Sequence, residues 1–256
     1  MSRRRFYAPP ENISGSSITL PKGESHHLVR VLRLKGGDEA FVFDGRGNEY
    51  RCAIIDAIPS GSSLEIIEPQ TNAVESPLTL ILGQALAKAE KFDFIVQKAT
   101  ELGVSRIWPL ATEFSEIRLD PEQASKRVAR WKRISLEALK QCGRRRLVEI
   151  SEPMTIGELC AAPPSGNSDL HLVFSEKGGA AITDTFKELK PPAALTAFIG
   201  PEGGWSDPEL ALLDASGVRS VSLGPRILRT ETAAVVAITL IQHLFGDLSR
   251  QRTDER

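Results

Sequence analysis

The chain has 256 residues, 41% of them hydrophobic and 25% charged, and its 33 acidic and 32 basic side chains leave a formal net charge of −1. That composition excludes a largely disordered chain and a membrane-embedded one, and the length suits two domains, since domains commonly run to roughly 100–200 residues. Cys52, Cys142 and Cys160 lie far apart, with neither a CxxC pair nor a histidine at ligand spacing; they are expected to be reduced, buried thiols, and no metal site is expected.

The opening MSRRRFYAPP is basic but leads into no apolar segment of a secretory signal, and the longest apolar run, 233–241, is about half a membrane span. A cytoplasmic protein is expected. Up to residue 68 the chain reads as short strands, RRFYA, then FVFDGRGNEYRCAIIDA, then SSLEII, each with alternating apolar positions and broken by Gly or Pro. This pattern predicts a small β-barrel over residues 1–70. DGRGN at 44–48 falls between two strands and reads as a hairpin turn, so its GxG is no nucleotide-binding signal. SHHLVRVLRL at 25–34 is the exception, a short amphipathic helix with Leu28, Val31, Leu32 and Leu34 as apolar positions and Arg30 and Arg33 on another face.

EPQTNAVESP at 68–77 is polar, carries two prolines and has no periodicity, which predicts a linker. A second domain is expected from 75 to 250, followed by a polar tail at 251–256. Here strands and helices alternate: LTLILGQA as strand, KFDFIVQKATELG as a helix closed by Gly103, SRIWPLA as strand, and a helix starting after Asp120-Pro121 and ending near Gly143. DLHLVF, AALTAFIG and VRSVSLG supply three further strands. Alternation of this kind predicts a mainly parallel sheet covered by helices on both faces, with ligands at the carboxyl ends of the strands.

Three of those ends carry the candidate chemistry: Ser175-Glu176, GPEGGW at 200–205 and LGPRILRTETA at 223–233. Gly200, Gly203 and Gly204 leave a stretch of backbone without side chains, suited to a sharp turn or a close approach to a ligand. The chain lacks a dinucleotide-binding GxGxxG between strand and helix, a P-loop, a GxSxG elbow and an HExxH. His26, His27, His171 and His243 are scattered, and the last two read as packed core residues. Nine Lys and Arg residues stand between Lys126 and Arg146 against one acid, Glu137, and a second basic cluster joins Arg3, Arg4 and Arg5 with His26, His27, Arg30, Arg33 and Lys35. Two such clusters point to a polyanion partner.

IGPEGGWS and SLGPRILRTETA, together with HHLVRVLRLKGGDE, QKATELGV and EALKQCGR, resemble the ribosomal RNA small-subunit methyltransferase E family of the SPOUT superfamily almost end to end. The resemblance implies a SPOUT-type trefoil-knotted α/β domain, its mainly parallel sheet covered by helices on both faces, plus an N-terminal PUA-like β-barrel that assists RNA binding. It implies a homodimer, with S-adenosylmethionine as cofactor and N3 of a uridine in 16S rRNA, within the small ribosomal subunit, as target. A ribose 2′-O methyltransferase of the same superfamily and a non-catalytic RNA-binding assembly factor are the alternatives. Phe114 stands where a basic residue is expected, Cys142 where a serine is usual, and the segment after Arg146 lacks a common proline.

On that reading the cofactor lies against Glu176, against Ile199, Gly200, Pro201, Glu202, Gly203 and Gly204, and against Leu223, Gly224, Arg226, Ile227, Leu228 and Thr230. Arg226 and Arg229 are the candidate catalytic cations, since the uracil oxygens gain negative charge as the N3 proton leaves. Their alternative is an ion pair with Glu202 or Glu231. Either glutamate could accept the proton, and the residues select neither. Thr230 and Thr232 could cap the last helix, a role that suits Thr232 better. RNA is expected on a surface to which both domains contribute, through Arg3, Arg4, Arg5, Arg30 and Arg33 on one side and Arg144, Arg145 and Arg146 on the other. The last helix, TAAVVAITLIQHLF, is apolar nearly all round, which predicts a second covering surface and supports a dimer.

Overall fold

The structure is a computed structural model that describes residues 4–71, 75–118, 120–161, 170–187 and 191–249. The chain divides into two compact units. One holds the residues up to Glu75 together with Leu136–Leu147, and the other holds Ser76–Ser135 together with the residues from Val148 onward.

The first unit is a six-stranded sheet. Its strands are β1 (Arg5–Tyr7), β2 (Ile13–Ser14), β3 (Ser17–Thr19), β4 (Glu39–Phe43), β5 (Glu49–Asp56) and β6 (Ser63–Pro69), in the order β1-β4-β5-β6-β3-β2. Side chains alternate across a strand, so Ala40 and Val42 of β4, Cys52 and Ile54 of β5 and Leu64 of β6 share one buried core with Phe6 and Ile18. The DGRGN segment is the expected turn: the buried Asp44 carboxylate accepts from Arg46 N at 2.7 Å, Asn48 N at 3.1 Å and Asn48 Nδ2 at 2.6 Å.

The amphipathic helix differs from expectation. Only Lys22–His26 is α-helical (α1), and His27–Val31 widens into a π-turn in which Leu32 N donates to His27 O at 3.0 Å. The extra residue in the turn shifts the buried face, so Leu28 and Leu34 enter the core while Val31, 60% exposed, and Leu32 face outward. Nor is 68–77 a free linker throughout, since β6 reaches Pro69 and Gln70 N donates to Glu49 O.

The described residues of the second unit form eight strands, β7 (Thr79–Ala85), β8 (Arg106–Ala111), β9 (Glu149–Ile150), β10 (Met154–Thr155), β11 (Leu170–Phe174), β12 (Ala180–Ala181), β13 (Ala194–Ile199) and β14 (Arg219–Ser222). Every pair among them is parallel, in the order β10-β8-β7-β13-β11-β14-β12, with β9 beside β8. The helices are α2 (Ala89–Glu101), α3 (Pro121–Cys142), α4 (Ile156–Ala161), α5 (Ile182–Lys187), α6 (Asp207–Ala215) and α7 (Thr230–Leu244). As expected, Asp120 Oδ1 accepts from Gln123 N at 2.8 Å to start α3, and Gly143, at φ 93°, follows its end. From Leu136 the helix packs with the first unit.

Alternation along the strands buries both faces of this sheet. Leu80, Leu82, Leu195, Ala197 and Leu172 face a core shared with Phe92, Ile95 and Val96 of α2 and Ala234, Ala237 and Ile241 of α7. Ile81, Trp108, Phe198 and Val173 face the other, with Ile156 and Leu159 of α4 and Leu213 of α6. At about 1.5–3 kcal/mol per fully buried aliphatic side chain, these two layers are the main stabilising term of the unit. Gly83 is required by closeness, since a Cβ there would run into the Phe198 ring of the neighbouring strand.

Candidate functional site

The connection from β13 to β14 passes over β11, which hydrogen-bonds to both. The chain then returns to the middle of the sheet, and α7 starts beside the ends of β7 and β13. Gln84 Nε2 donates to Thr230 Oγ1 at 3.0 Å, and that hydroxyl donates to Gly200 O at 2.7 Å. This route gathers the segments 175–176, 200–204 and 223–230 at one edge of the sheet.

The three segments also brace one another. Trp205, almost wholly buried, donates its indole N–H to Phe174 O at 3.0 Å, and a Cβ on Gly200 would press on that indole at 3.1 Å. Gly204, at φ 73°, closes a turn through its N–H to Pro201 O, and a Cβ there would collide with the Glu176 carboxylate. Ser206 and Glu209 then form a reciprocal capping box at the start of α6, and Glu209 Oε1 also accepts from Glu113 N at 2.9 Å. Phe114 fills the space over Gly203, where a Cβ would come within 2.8 Å of it. It is the Phe114 Cβ that approaches the loop so closely, while the residue as a whole stays 45% exposed, and its place in a polar stretch of sequence does not reveal the contact.

Two buried side-chain oxygens near this site lack a hydrogen-bond partner among the described residues, Gln84 Oε1 and Glu231 Oε2. Gln84 is fully buried, its Nε2 bonds Ala85 O and Thr230, and its Oε1 accepts nothing. Leaving a buried acceptor unmet costs about 1–3 kcal/mol, so the position suits a donor arriving with a ligand.

The charges are arranged differently from expectation. Lys91, at the start of α2, takes Glu202 at 2.7 Å and Glu231 at 3.9 Å. Partial burial pushes the Glu202 carboxyl up, but its bond to Lys91, a backbone hydrogen bond and the charges of Lys91 and Lys88 outweigh that and hold it below the usual carboxylate range. The same hydrogen bond raises Lys91. Arg226 and Arg229 are exposed and make no ion pair among the described residues, so the expected alternative of pairing with Glu202 or Glu231 is not what forms. Leu223 and Leu228 are half-buried, Gly224 stands at φ 98°, and Ile227 is 86% exposed. Neither threonine caps α7: Arg229 is the N-cap residue, Thr230 binds Gly200 instead, and Thr232 faces outward. Lys91 and Gln84 were missed in the sequence because they belong to no glycine-rich loop or basic run, and Trp205, although inside the candidate loop GPEGGW, was given no role of its own. Trp205 had one signal, its place directly after GPEGG.

The basic residues sort by burial. Arg3 lies outside the described residues, while Arg4, Arg30, Arg33 and Arg146 are exposed. Arg5, 7% exposed, binds Glu49 at 2.6 Å and donates to Leu139 O at 2.6 Å and Arg144 O at 2.9 Å. Arg144 pairs with Glu75 and Arg145 with Glu49, each of these arginines 5% exposed. Arg5, Arg144 and Arg145 are therefore structural side chains of the first unit, and the expectation that they reach RNA is corrected. Burial with a carboxylate partner is invisible in a run of arginines. His171 is half-buried against Phe198, and burial lowers its pKa; His243, expected in the core, is exposed because α7 buries positions 234, 237, 238, 241 and 242. None of the three cysteines is in a disulfide; Cys52 is buried with its thiol pushed up to about 12, and Cys142 and Cys160 are half-buried.

Comparison with known proteins decides the family. Residues 74–242 match the model of an RNA methyltransferase domain, and residues 20–67 that of an RNA methyltransferase PUA domain. The chain is 35% identical to ribosomal RNA small subunit methyltransferase E of Synechocystis over 94% of its length and 78% of that protein. It belongs to the ribosomal RNA small subunit methyltransferase E family. The family member of Buchnera aphidicola subsp. Schizaphis graminum is 33% identical, with 91% of this chain and 92% of that protein covered. A Legionella pneumophila methyltransferase solved with bound SAM superposes with a TM-score of 0.88 at 32% identity, over 97% of this chain and all of that one. The family's Neisseria gonorrhoeae structure, bound to S-adenosylmethionine, gives 0.85 at 34% identity over 96% and 99%. The fold class is the expected one, a SPOUT-type α/β domain with a mainly parallel sheet and helices, with a PUA-like domain at its N-terminal side. Among the described residues no helix is long and apolar enough to cross a membrane, and no cluster suits a metal ion.

Proposed function

We propose that this protein transfers a methyl group from S-adenosylmethionine to N3 of a uridine in 16S rRNA of the small ribosomal subunit. The observation that carries the reading is the open-backbone cradle at the ends of β11, β13 and β14, sealed beneath by Trp205 and Thr230 and offering the unmet acceptor Gln84 Oε1. Those residues fit the cofactor: Gly200, Gly203 and Gly204 with Pro201 and Ile199 form the cradle, Leu223, Ile227 and Leu228 supply apolar cover, and Gly224, Glu176 and Arg226 border it. Bound there, S-adenosylmethionine supplies an electrophilic methyl on sulfonium, so the protein needs no nucleophile of its own. Its tasks are alignment, exclusion of water and charge.

Arg226 and Arg229, with no carboxylate on them, are placed to meet the negative charge that spreads onto the uracil oxygens when N3 loses its proton. Glu202 is held ionised by Lys91, which keeps a carboxylate from opposing those arginines directly. A ribose hydroxyl is far less acidic than uracil N3–H and calls for a strong base, whereas cations alone go far toward ionising the imide; this favours the base over the ribose. The domains are proposed as residues 1–70 for RNA binding and 75–250 for transfer, acting as a homodimer in the cytoplasm. Methyl transfer to small subunits from a strain lacking the gene, followed by nucleoside analysis, is expected to yield 3-methyluridine. A 2′-O-methyl nucleoside, or no transfer, refutes the reading.

A further inference from the structure

The first unit holds two exposed arginines together by backbone pairing. Arg46 sits at the tip of the β4–β5 hairpin, and the 145–147 stretch comes back along it: Arg146 bridges Gly45 and Arg46, and Leu147 N donates to Gly45 O at 3.0 Å. The Arg146 guanidinium lies across Gly47, where a Cβ would come within 3.2 Å of its Nε. Gly47 stands at φ 112°, so glycine is needed both for the turn and for the room above it. On the far side of the hairpin, Gly45 leaves room for Leu147 and the Tyr7 ring.

No carboxylate pairs with either side chain among the described residues. The nearest acid in sequence, Asp44, is buried, and its oxygens accept from the Arg46 and Asn48 backbone and the Asn48 amide. The contrast with the neighbouring basic residues is sharp. Arg5 and Arg145 share Glu49, Arg51 has Glu39 and Glu68, and Arg144 has Glu75 Oε2, while Glu75 Oε1 accepts the backbone N–H groups of Arg145 at 2.7 Å and Arg146 at 2.9 Å and leaves the Arg146 guanidinium unpaired among the described residues. Two like charges held side by side raise each other's energy, more so where protein limits solvent, and an anion between them reverses the sign. Guanidinium groups suit phosphate oxygens in geometry as well as charge.

We propose that Arg46 and Arg146 form an anion site that grips a phosphate of the RNA backbone. The proposal rests on the RNA methyltransferase reading and deepens it: of the run Arg144–Arg146 only the last residue faces the RNA, and its partner comes from a hairpin whose sequence signals nothing but a turn. Phosphate contacts position a nucleic acid without reading its bases, so the site governs affinity and salt dependence and leaves base choice alone.

Binding of a 16S rRNA transcript, measured by filter retention over a series of salt concentrations, tests this. Arg46→Gln and Arg146→Gln are each expected to weaken binding and to flatten log Kd against log salt by up to about one unit, the double variant by more than either. Arg46→Lys with Arg146→Lys keeps the charges and is expected to keep most of the slope. Arg51→Gln removes the same charge from a paired arginine of the same unit and is expected to leave the slope alone. S-adenosylmethionine affinity should be unchanged throughout. A double glutamine variant that matches a binding wild type in affinity and slope overturns the anion site by itself. A wild type that neither binds the transcript nor methylates small subunits overturns the reading beneath it.

Discussion

Thr230→Val isolates the bond network that joins the last helix to the proposed cofactor cradle. The replacement keeps shape and volume but removes a hydroxyl that donates to Gly200 O at 2.7 Å and accepts from Gln84 Nε2 at 3.0 Å. Gln84 Nε2 keeps its bond to Ala85 O, whereas Gly200 O loses the side-chain donor found for it. A lost partner on a buried group costs about 1–3 kcal/mol, and Thr230 is 4% exposed, so water cannot readily replace it. Such a loss lowers the melting temperature of a unit of this size by about 2–4 °C per kcal/mol. Thr230→Ser keeps both bonds and is expected to stay close to wild type. The assay is urea unfolding followed by calorimetric titration with S-adenosylmethionine. Valine should lower both the midpoint and the affinity, because the strand end that sets Gly200 is loosened. A valine variant with wild-type midpoint and affinity refutes the claim that this hydroxyl ties the cradle together.

Gly204→Val combines a left-handed backbone, costing about 1–2 kcal/mol for a residue with a Cβ, with a clash against Glu176; a folded variant that keeps its S-adenosylmethionine affinity in calorimetry contradicts the site assignment. Arg5→Met leaves the Glu49 carboxylate with only Arg145 and frees the carbonyls of Leu139 and Arg144, so the first unit should lose about 3–5 kcal/mol, read as a lower urea midpoint. The depressed Glu202 carboxyl contributes stability that is complete above its unfolded value near about pH 4 and disappears as pH falls through the lower folded value. Lys91→Met should therefore reduce the change in urea midpoint between neutral and acid solution, and an unaltered pH profile would count against the Lys91 pair. Sedimentation at micromolar concentration should give twice the monomer mass; a monomer would refute the homodimer.

Much of the second unit was legible because its signals are local. Strand and helix periods, Asp120 before Pro121, Gly103 and Gly143 after their helices, and glycines crowding the strand ends each act within a few residues, and each reports a backbone constraint that any fold must satisfy. The family motifs 200–206 and 223–233 were legible for the same reason. Beyond them, chain order could not show that the segment after β14 returns to the centre of the sheet, because nothing within reach of Leu223 in sequence encodes where Gln84 will be. The π-turn at His27–Val31 escaped too: one added residue in a turn rotates the buried face by about 100°, yet leaves the apolar spacing almost unaltered.

Charge is where sequence and structure part most clearly. By itself the sequence determined how many arginines cluster near residues 3–5 and 144–146, and with them that some surface would attract a polyanion. Which of them stay in water depended on carboxylates far away in the chain: Glu49 reaches both Arg5 and Arg145, and Glu75 takes the Arg144 guanidinium, whereas of Arg146 it takes only the backbone N–H and leaves the side chain without an ion pair among the described residues. A buried arginine without a counter-ion costs several kcal/mol, so burial and pairing are settled together when distant strands meet. The tertiary fold therefore divided one basic run into structural and exposed members, and it did the same beside β13, where Lys91 took Glu202 and left Arg226 and Arg229 exposed without an ion pair among the described residues.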